Sequence, residues 1–172
     1  MGATLCSWWE AGPEGKLAAV CVLPCLLAYM TLGGRLAWVD AISHRLPRKL
    51  TLPLYPIGVF SLGAAAVTAS EPRRVITALA GAILAWGVFV ISRWLGGGAL
   101  GRGDVVLAPI LGWACGFLSV LHAVAWVAFS FIAAGLWAVA LLVAGRVRGD
   151  AYLPLGPWMF LAAGAVWCIG SS

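Results

Sequence analysis

Charged residues are scarce in this sequence. Only 10% of its 172 residues are Asp, Glu, Lys or Arg, whereas 63% are hydrophobic. Soluble globular domains carry about 25% charged residues, so this composition excludes that class and indicates an integral membrane protein. The six acidic residues are outnumbered by 11 basic ones. A bias of basic loops toward one side of the bilayer, together with anionic lipid, accounts for that excess, so no nucleic-acid partner is predicted.

Paired cysteine motifs are also missing, and no cleaved secretory leader is expected. The five cysteines form no C-x-x-C pair, and all but Cys6 lie inside uncharged runs. We therefore expect them to pack as small apolar residues. One loop histidine, His44, cannot complete a ligand set, so no metal site and no cofactor are predicted. No basic residue precedes Lys16, so the first span is expected to stay as an anchor rather than to be cleaved.

Long uncharged runs fill most of the chain. They cover residues 17–34, 50–70, 75–92, 105–145 and 151–172. About 20 apolar residues cross a bilayer, whereas a single helix over 105–145 would reach about 60 Å. We therefore divide that run into two spans, with a tight turn between residues 116 and 122.

The predicted fold is an all-α integral membrane bundle of six transmembrane helices, formed by one domain over residues 1–172. The predicted spans are about 17–38, 50–69, 75–92, 105–121, 124–144 and 153–170. Trp86, Trp126 and Trp137 fall in the middle of predicted spans, and we expect all three to pack inside the bundle.

The basic residues predict the orientation of these spans. When loops are assigned alternately to the two sides, eight basic residues fall on one side and three on the other. The richer side contains Arg35, Arg45, Arg48, Lys49, Arg93, Arg102, Arg146 and Arg148. Because basic loops stay in the cytoplasm, that side is predicted to be cytoplasmic and both termini to lie outside.

Two aspartates are expected at the cytoplasmic boundary. Asp40 ends the first predicted span and Asp104 begins the fourth, whereas Asp150 lies beside arginines in a loop and is interpreted as a solvated acid. Ionisable groups at such depth are candidates for function. Two neighbouring carboxyls cannot both stay ionised at low cost and tend to share a proton. One can then activate water as a base while the other donates to a carbonyl oxygen, which is the chemistry of peptide hydrolysis.

Glycines surround the second aspartate in the stretch "GGGALGRGDVVL", residues 96–107. Gly101 and Gly103 lack a Cβ, which permits unusual dihedral angles and the close approach of an extended peptide. The alternative interpretation is a flexible loop that ends in an N-capping aspartate at Asp104.

The combination of motifs resembles the type IV prepilin leader peptidases, a GxGD family of intramembrane aspartic proteases that includes archaeal preflagellin peptidases. The resemblance is carried by "D-x-x-x-H-R-L-P-x-K-L-T-L-P-L" from Asp40, by the glycine-rich stretch that contains Asp104, and by "LPLGPWMFLAAGA" at 153–165. It implies that Asp40 and Asp104 are the catalytic pair. It also implies that Gly101 and Gly103 bind substrate or shape the loop, and that Gly156 and Pro157 shape or support the site.

The resemblance further implies the substrates and the cellular location. These would be prepilins, pseudopilins or Flp-type pilin precursors, cut at the cytoplasmic face of the plasma membrane between a short basic leader and a hydrophobic helix. The chain departs from the family pattern at Arg48, Arg102 and Val106. These departures leave the two acids intact but make the local field more positive around Arg48 and Arg102, which bears on substrate preference near the cut. The loop after Asp40 passes directly into the second span and contains no paired C-x-x-C motifs. We therefore expect a peptidase without methyltransferase activity, zinc or S-adenosylmethionine.

Two alternatives stay open from the sequence. A non-catalytic multi-span membrane protein, such as a small transporter or an assembly scaffold, also places small residues at helix interfaces. It would place acids near the middle of a span, and this chain has none there. A presenilin-like or signal-peptide-peptidase-like protease shares the GxGD motif, but the first motif and the small size favour the prepilin group. The sequence names neither the particular prepilin nor the oligomeric state.

Overall fold

The described part of this chain is almost entirely helical. The computed structural model describes residues 7–10, 12–36, 39, 51–96, 100–145 and 155–169. Those residues form helices and turns and include no β-strand. Six α-helices of at least 14 residues lie within them: α1 (Pro13–Ala28), α2 (Leu54–Thr68), α3 (Arg73–Leu95), α4 (Arg102–Leu118), α5 (Val120–Val143) and α6 (Gly156–Ile169). A five-residue π-helical segment, Tyr29–Gly33, continues α1.

The helices follow the predicted spans in order. Three stretches are long and apolar enough to cross a membrane, namely Pro13–Leu36, Arg73–Leu95 and Val120–Val143. α2 and α6 are apolar but shorter, with 15 and 14 residues. The prediction of an all-α membrane bundle is confirmed, whereas the number of six crossings stays a prediction.

The long uncharged run divides as its length requires. α4 ends at Leu118 and α5 begins at Val120, so the turn falls at Ser119, inside the predicted window. Ser119 has extended backbone and caps α5, because its hydroxyl accepts a hydrogen bond from the amide of His122 at 3.3 Å. A serine in this position satisfies one of the amides that a helix start leaves without an intrahelical partner.

The helices form two sets of close neighbours. The N-terminal pair consists of α1 with its π segment, packed against α2, and the C-terminal group consists of α3 to α6. Within the C-terminal group, α3 and α4 make the most extensive contact, and α4 also packs on α5 and α6. α4 is therefore surrounded by other helices, and its first turn contains Asp104.

An aromatic cluster forms part of the core of the C-terminal group. Phe89 stacks on Trp126 with ring centroids 5.9 Å apart and lies 5.1 Å from the ring of Phe131. Trp126 is fully buried, and its indole N–H donates to the carbonyl of Met159 at 2.9 Å. This bond fastens α5 to α6.

The expectation is wrong for Trp86 and holds only in part for Trp137. Trp86 is 53% exposed and lies on the outside of α3. Trp137 is 45% exposed, although its ring packs on that of Trp158 in α6 with centroids 5.6 Å apart. Apolar side chains can face lipid as readily as they face the core, so their position along a span does not determine whether they point inward. The large exposed hydrophobic residues of α3 and α5 have the same explanation.

Candidate active site

Asp104 lies in the first turn of α4 and is almost completely buried. The helix begins at Arg102 with Gly101 as its N-cap, so Asp104 is the third helical residue rather than the cap. Its side chain is 1% exposed, whereas the Arg102 side chain two positions earlier is exposed. A negative charge in this turn is favoured by the amides at the helix start. The helix therefore presents a carboxyl inward, near one end of the bundle.

The two glycines before Asp104 have ordinary backbone. Gly101 has φ −60° and ψ 139°, which any residue can adopt, and Gly103 is helical. The expected unusual dihedral angle is therefore not found at Gly101. What the glycines contribute is the absence of side chains next to Asp104, and the close approach of a peptide there stays a prediction.

The loop before α4 is fastened to the end of α3. Arg93, in the last turn of α3, donates a hydrogen bond from its guanidinium to the carbonyl of Leu100. From the sequence, Arg93 is predicted only to contribute to membrane orientation through its charge. In the structure this arginine also fixes the residue that leads into Gly101, which limits the movement of the helix start.

Small residues bring α3 and α4 into backbone contact behind the site. A Cβ on Gly81 would lie 2.5 Å from the carbonyl oxygen of Gly112 and 2.8 Å from the Cα of Gly116. A Cβ on Gly112 would lie 2.5 Å from that of Ala85. Real Cβ atoms do not approach so closely, so only glycine fits at these crossings. α3 is thereby a rigid support for the helix that carries Asp104.

On its other side, α4 is bound by two tyrosines of the N-terminal pair. The hydroxyl of Tyr55, in the first turn of α2, donates to the carbonyl of Val106. The hydroxyl of Tyr29, at the start of the π segment, donates to the carbonyl of Ile110 at 2.8 Å. Neither tyrosine was predicted from the sequence as a site residue. Their signal was a polar-tipped aromatic residue inside an uncharged span, because a tyrosyl O–H away from water usually finds an acceptor.

Gly156 and Pro157 begin the last helix, three residues after the start of the predicted span. Gly156 is buried and Pro157 is half-buried. Proline is tolerated in the first turn of a helix, where its missing N–H has no intrahelical acceptor to lose. α6 packs on α4, so these residues lie on a direct neighbour of the Asp104 helix.

The prediction for Asp40 lies outside the described residues, as does the basic stretch that follows it. The pairing of the two carboxyls therefore stays a prediction. Within residues 7–36, 51–96, 100–145 and 155–169, leaving out Ala11, no group of three His, Cys, Asp or Glu side chains could hold a metal ion. By itself, the carboxyl of Asp104 can donate or accept one proton. A second group is required if water is to be activated while the developing charge on the carbonyl oxygen is stabilised.

Comparisons with known proteins agree on one kind of enzyme. The sequence profile of the Type IV leader peptidase family matches residues 21–139. Leader peptidase HopD of Salmonella typhimurium is 33% identical over 146 residues, which cover 81% of this chain and 89% of that protein. A prepilin leader peptidase/N-methyltransferase of Klebsiella pneumoniae is 43% identical over 79 residues, which cover 45% of this chain and 34% of that protein. No solved structure matches the chain.

Proposed function

We propose, since this chain belongs to the type IV leader peptidase family, that it is an intramembrane aspartic endopeptidase. Its substrates would be prepilins, pseudopilins or Flp-type pilin precursors, cut between the basic leader and the hydrophobic helix. The observation that carries the proposal is the buried carboxyl of Asp104 in the first turn of α4. Ionisable side chains buried in a membrane bundle are expensive and are typically retained for function.

In the proposed mechanism, Asp40 and Asp104 share one proton. The ionised carboxylate takes a proton from water, whose oxygen attacks the carbonyl carbon of the scissile bond. The protonated partner gives its proton to the carbonyl oxygen, and a tetrahedral intermediate forms. When the intermediate collapses, the C–N bond breaks and the leaving nitrogen takes up the proton that the first carboxyl drew from water. The other carboxyl regains its proton from a hydroxyl of the intermediate, so the pair again shares one proton. The hydrolysis then requires neither a covalent enzyme intermediate nor a cofactor.

We propose the cytoplasmic face as the side of cleavage. The support is the predicted distribution of basic residues, because loops rich in Lys and Arg remain in the cytoplasm. Arg93 and Arg102 flank the loop that precedes Asp104, and Arg102 is exposed there. A short basic leader would enter a positive region at this point. The substrate must therefore be held mainly through its backbone and hydrophobic segment rather than through the charge of its leader.

We also propose that the chain cuts without methylating its product. The Klebsiella pneumoniae protein is named for both a peptidase and an N-methyltransferase activity, and this chain aligns with only 34% of it. The sequence between Asp40 and the second span contains no cysteine. A zinc-stabilised insert of the C-x-x-C type has no ligands there.

Leader cleavage by the wild type and by two aspartate variants tests the proposal. Asp40→Asn and Asp104→Asn keep the side-chain shape but cannot act as carboxylates, so each should lower cleavage of a co-expressed prepilin by about 100-fold or more. Asp150→Asn is the matched control, since it removes a loop acid without touching the pair. Membrane levels of every variant are measured by immunoblot.

Each outcome has a defined meaning. Normal insertion with lost cleavage in both variants, and full cleavage by Asp150→Asn, supports the pair. Wild-type cleavage by either variant overturns the catalytic role of that aspartate. A wild type that cuts none of several prepilins overturns the proposed activity and favours a transporter or scaffold.

A further inference from the structure

The first half of α4 receives two hydrogen bonds from outside the C-terminal group. Tyr55 on α2 binds the carbonyl of Val106, and Tyr29 in the π segment binds the carbonyl of Ile110. Val106 and Ile110 are one helical turn apart, so the two bonds lie along one face of α4. Both acceptors follow Asp104 within two turns. The N-terminal pair thus holds the helix at its functional end.

This part of α4 is weakened from within by a proline. Pro109 has no N–H to donate to the carbonyl of Val105, and an internal proline loosens the turn before it. The carbonyls that the tyrosines bind lie on either side of Pro109. The two tyrosine hydroxyls therefore supply hydrogen bonds from another helix to a turn of α4 that lacks one of its own backbone hydrogen bonds.

The packing around Tyr29 leaves room for this contact. Gly58 on α2 is buried, and a Cβ there would lie 2.9 Å from the Cδ1 of Ile110 and 3.7 Å from the hydroxyl oxygen of Tyr29. Glycine at this position lets α2 approach the end of the Tyr29 side chain and α4 together. The π segment begins at Tyr29, and such segments are frequent at functional sites because they re-aim side chains within a helix.

We infer that Tyr29 and Tyr55 are positioning residues, which hold the Asp104 helix in register against the N-terminal pair. Asp40 lies between these tyrosines in the sequence, so both flanks of its segment are fastened to α4. A hydrogen bond between membrane helices adds little stability, whereas a displacement of about 1 Å in reacting groups can lower a rate about 100-fold. The inference rests on the proposed catalytic role of Asp104.

Kinetics of conservative variants test this role. Tyr29→Phe, Tyr55→Phe and the double variant keep the rings and remove only the hydroxyl donors. Trp126→Phe is the control, because it removes a bond between α5 and α6 that lies inside the C-terminal group. The kcat and KM for cleavage of a purified prepilin are measured together with the thermal midpoint of each variant.

We expect each tyrosine variant to lower kcat by about 10- to 100-fold, with KM close to the wild-type value and a thermal midpoint no lower than that of Trp126→Phe. Trp126→Phe should retain the wild-type kcat. A double tyrosine variant with the wild-type kcat overturns the inference, as does an equal loss of kcat in Trp126→Phe. Asp104→Asn, measured in the same assay, separates the two proposals, since its continued activity overturns the catalytic role of Asp104 itself.

Hydrogen exchange provides a readout that needs no substrate. Amides of residues 103–108 and 110 should exchange roughly three- to tenfold faster in the double tyrosine variant than in the wild type, as expected for lost interhelical bonds. The amides of α5 should be unchanged. Unaltered exchange over 103–110 would show that the tyrosines do not hold this turn and would overturn the inference even if no prepilin were cut.

Discussion

At the scale of single residues, Asp104 combines deep burial with a place in the first turn of a helix. Its side chain is 1% exposed, and removing an ionised carboxyl from water costs several kcal/mol even after relaxation of the surroundings. The amides of the first turn of α4 offset part of that cost. A residue kept in such a place for chemistry rather than for packing should be dispensable for folding.

Asp104→Asn is therefore expected to preserve or raise stability while cleavage is lost. Asparagine has nearly the same shape and carries no charge, so the desolvation cost disappears. The thermal midpoint of the purified variant should equal or exceed that of the wild type. A fall of more than about 5 °C, which corresponds to roughly 1 kcal/mol or more, would instead indicate that the carboxylate holds the fold together.

At the scale of secondary-structure elements, α3 and α4 behave as one support. Gly81, Gly112 and Gly116 remove the side chains between the two helices, so their backbones meet and dispersion contacts replace hydrophobic driving force. At the C-terminal end of α3, the guanidinium of Arg93 donates a hydrogen bond to the carbonyl of Leu100, just before α4 begins. The position of Asp104 thus depends on packing that begins several turns away from it.

A pair of glycine substitutions in α3 measures this packing. Gly81→Ala and Gly87→Ala bring the same gain in helix propensity, but a Cβ at Gly81 meets backbone atoms at 2.5 and 2.8 Å while nothing lies within 4 Å of one at Gly87. Gly81→Ala should lower the free energy of unfolding by about 1–3 kcal/mol. Gly87→Ala should leave it unchanged or raise it by up to about 1 kcal/mol.

Denaturant unfolding in detergent is the measurement for both substitutions. Equal stability of the two variants would mean that α3 and α4 separate far enough to admit a methyl group. In that case the support of Asp104 could not depend on close backbone contact.

At the scale of the whole molecule, the two ends of the bundle differ in chemistry. Asp104 lies at the start of α4, whereas the other end of that helix carries Phe117, which contacts the ring of Trp8 at 6.3 Å between centroids. The guanidinium of Arg74 lies 5.1 Å from the Trp8 ring and 5.5 Å from the Phe117 ring, and it also pairs with Glu71. This cation–π cluster closes the end opposite the candidate site.

Reporter fusions test the orientation that the charges predict. Alkaline phosphatase, which is active only outside the cytoplasm, is fused after Ser70, Gly96, Gly145 or Ser172. Fusions after Ser70 and Ser172 should be active, and those after Gly96 and Gly145 inactive, because basic residues keep the latter loops inside. A fluorescent protein that matures only in the cytoplasm should give the opposite pattern. Activity of the Gly96 fusion would place the Asp104 end outside and contradict cytoplasmic cleavage.

Much of the fold could be predicted from the sequence because helix boundaries in this chain are chemically marked. Charges, prolines and serines mark the ends of the uncharged runs. Run length alone predicts a turn between residues 116 and 122, where the structure has it at Ser119. Asp104 could be predicted as a candidate site residue, since an acid at the start of an apolar run is rare. Its place in the first turn, rather than at the cap, required knowledge of where α4 begins.

The sequence by itself determined the class of protein, the order of the helices and the motifs that identify the candidate site. Only the tertiary structure decided which side of each helix faces inward, since lipid and core are both apolar and hydropathy does not distinguish them. Trp126 is buried while Trp86 and Trp137 are exposed for that reason. The bonds of Tyr29 and Tyr55 to α4 likewise join residues distant in sequence. No local pattern records such a contact, because it exists only once the helices have packed.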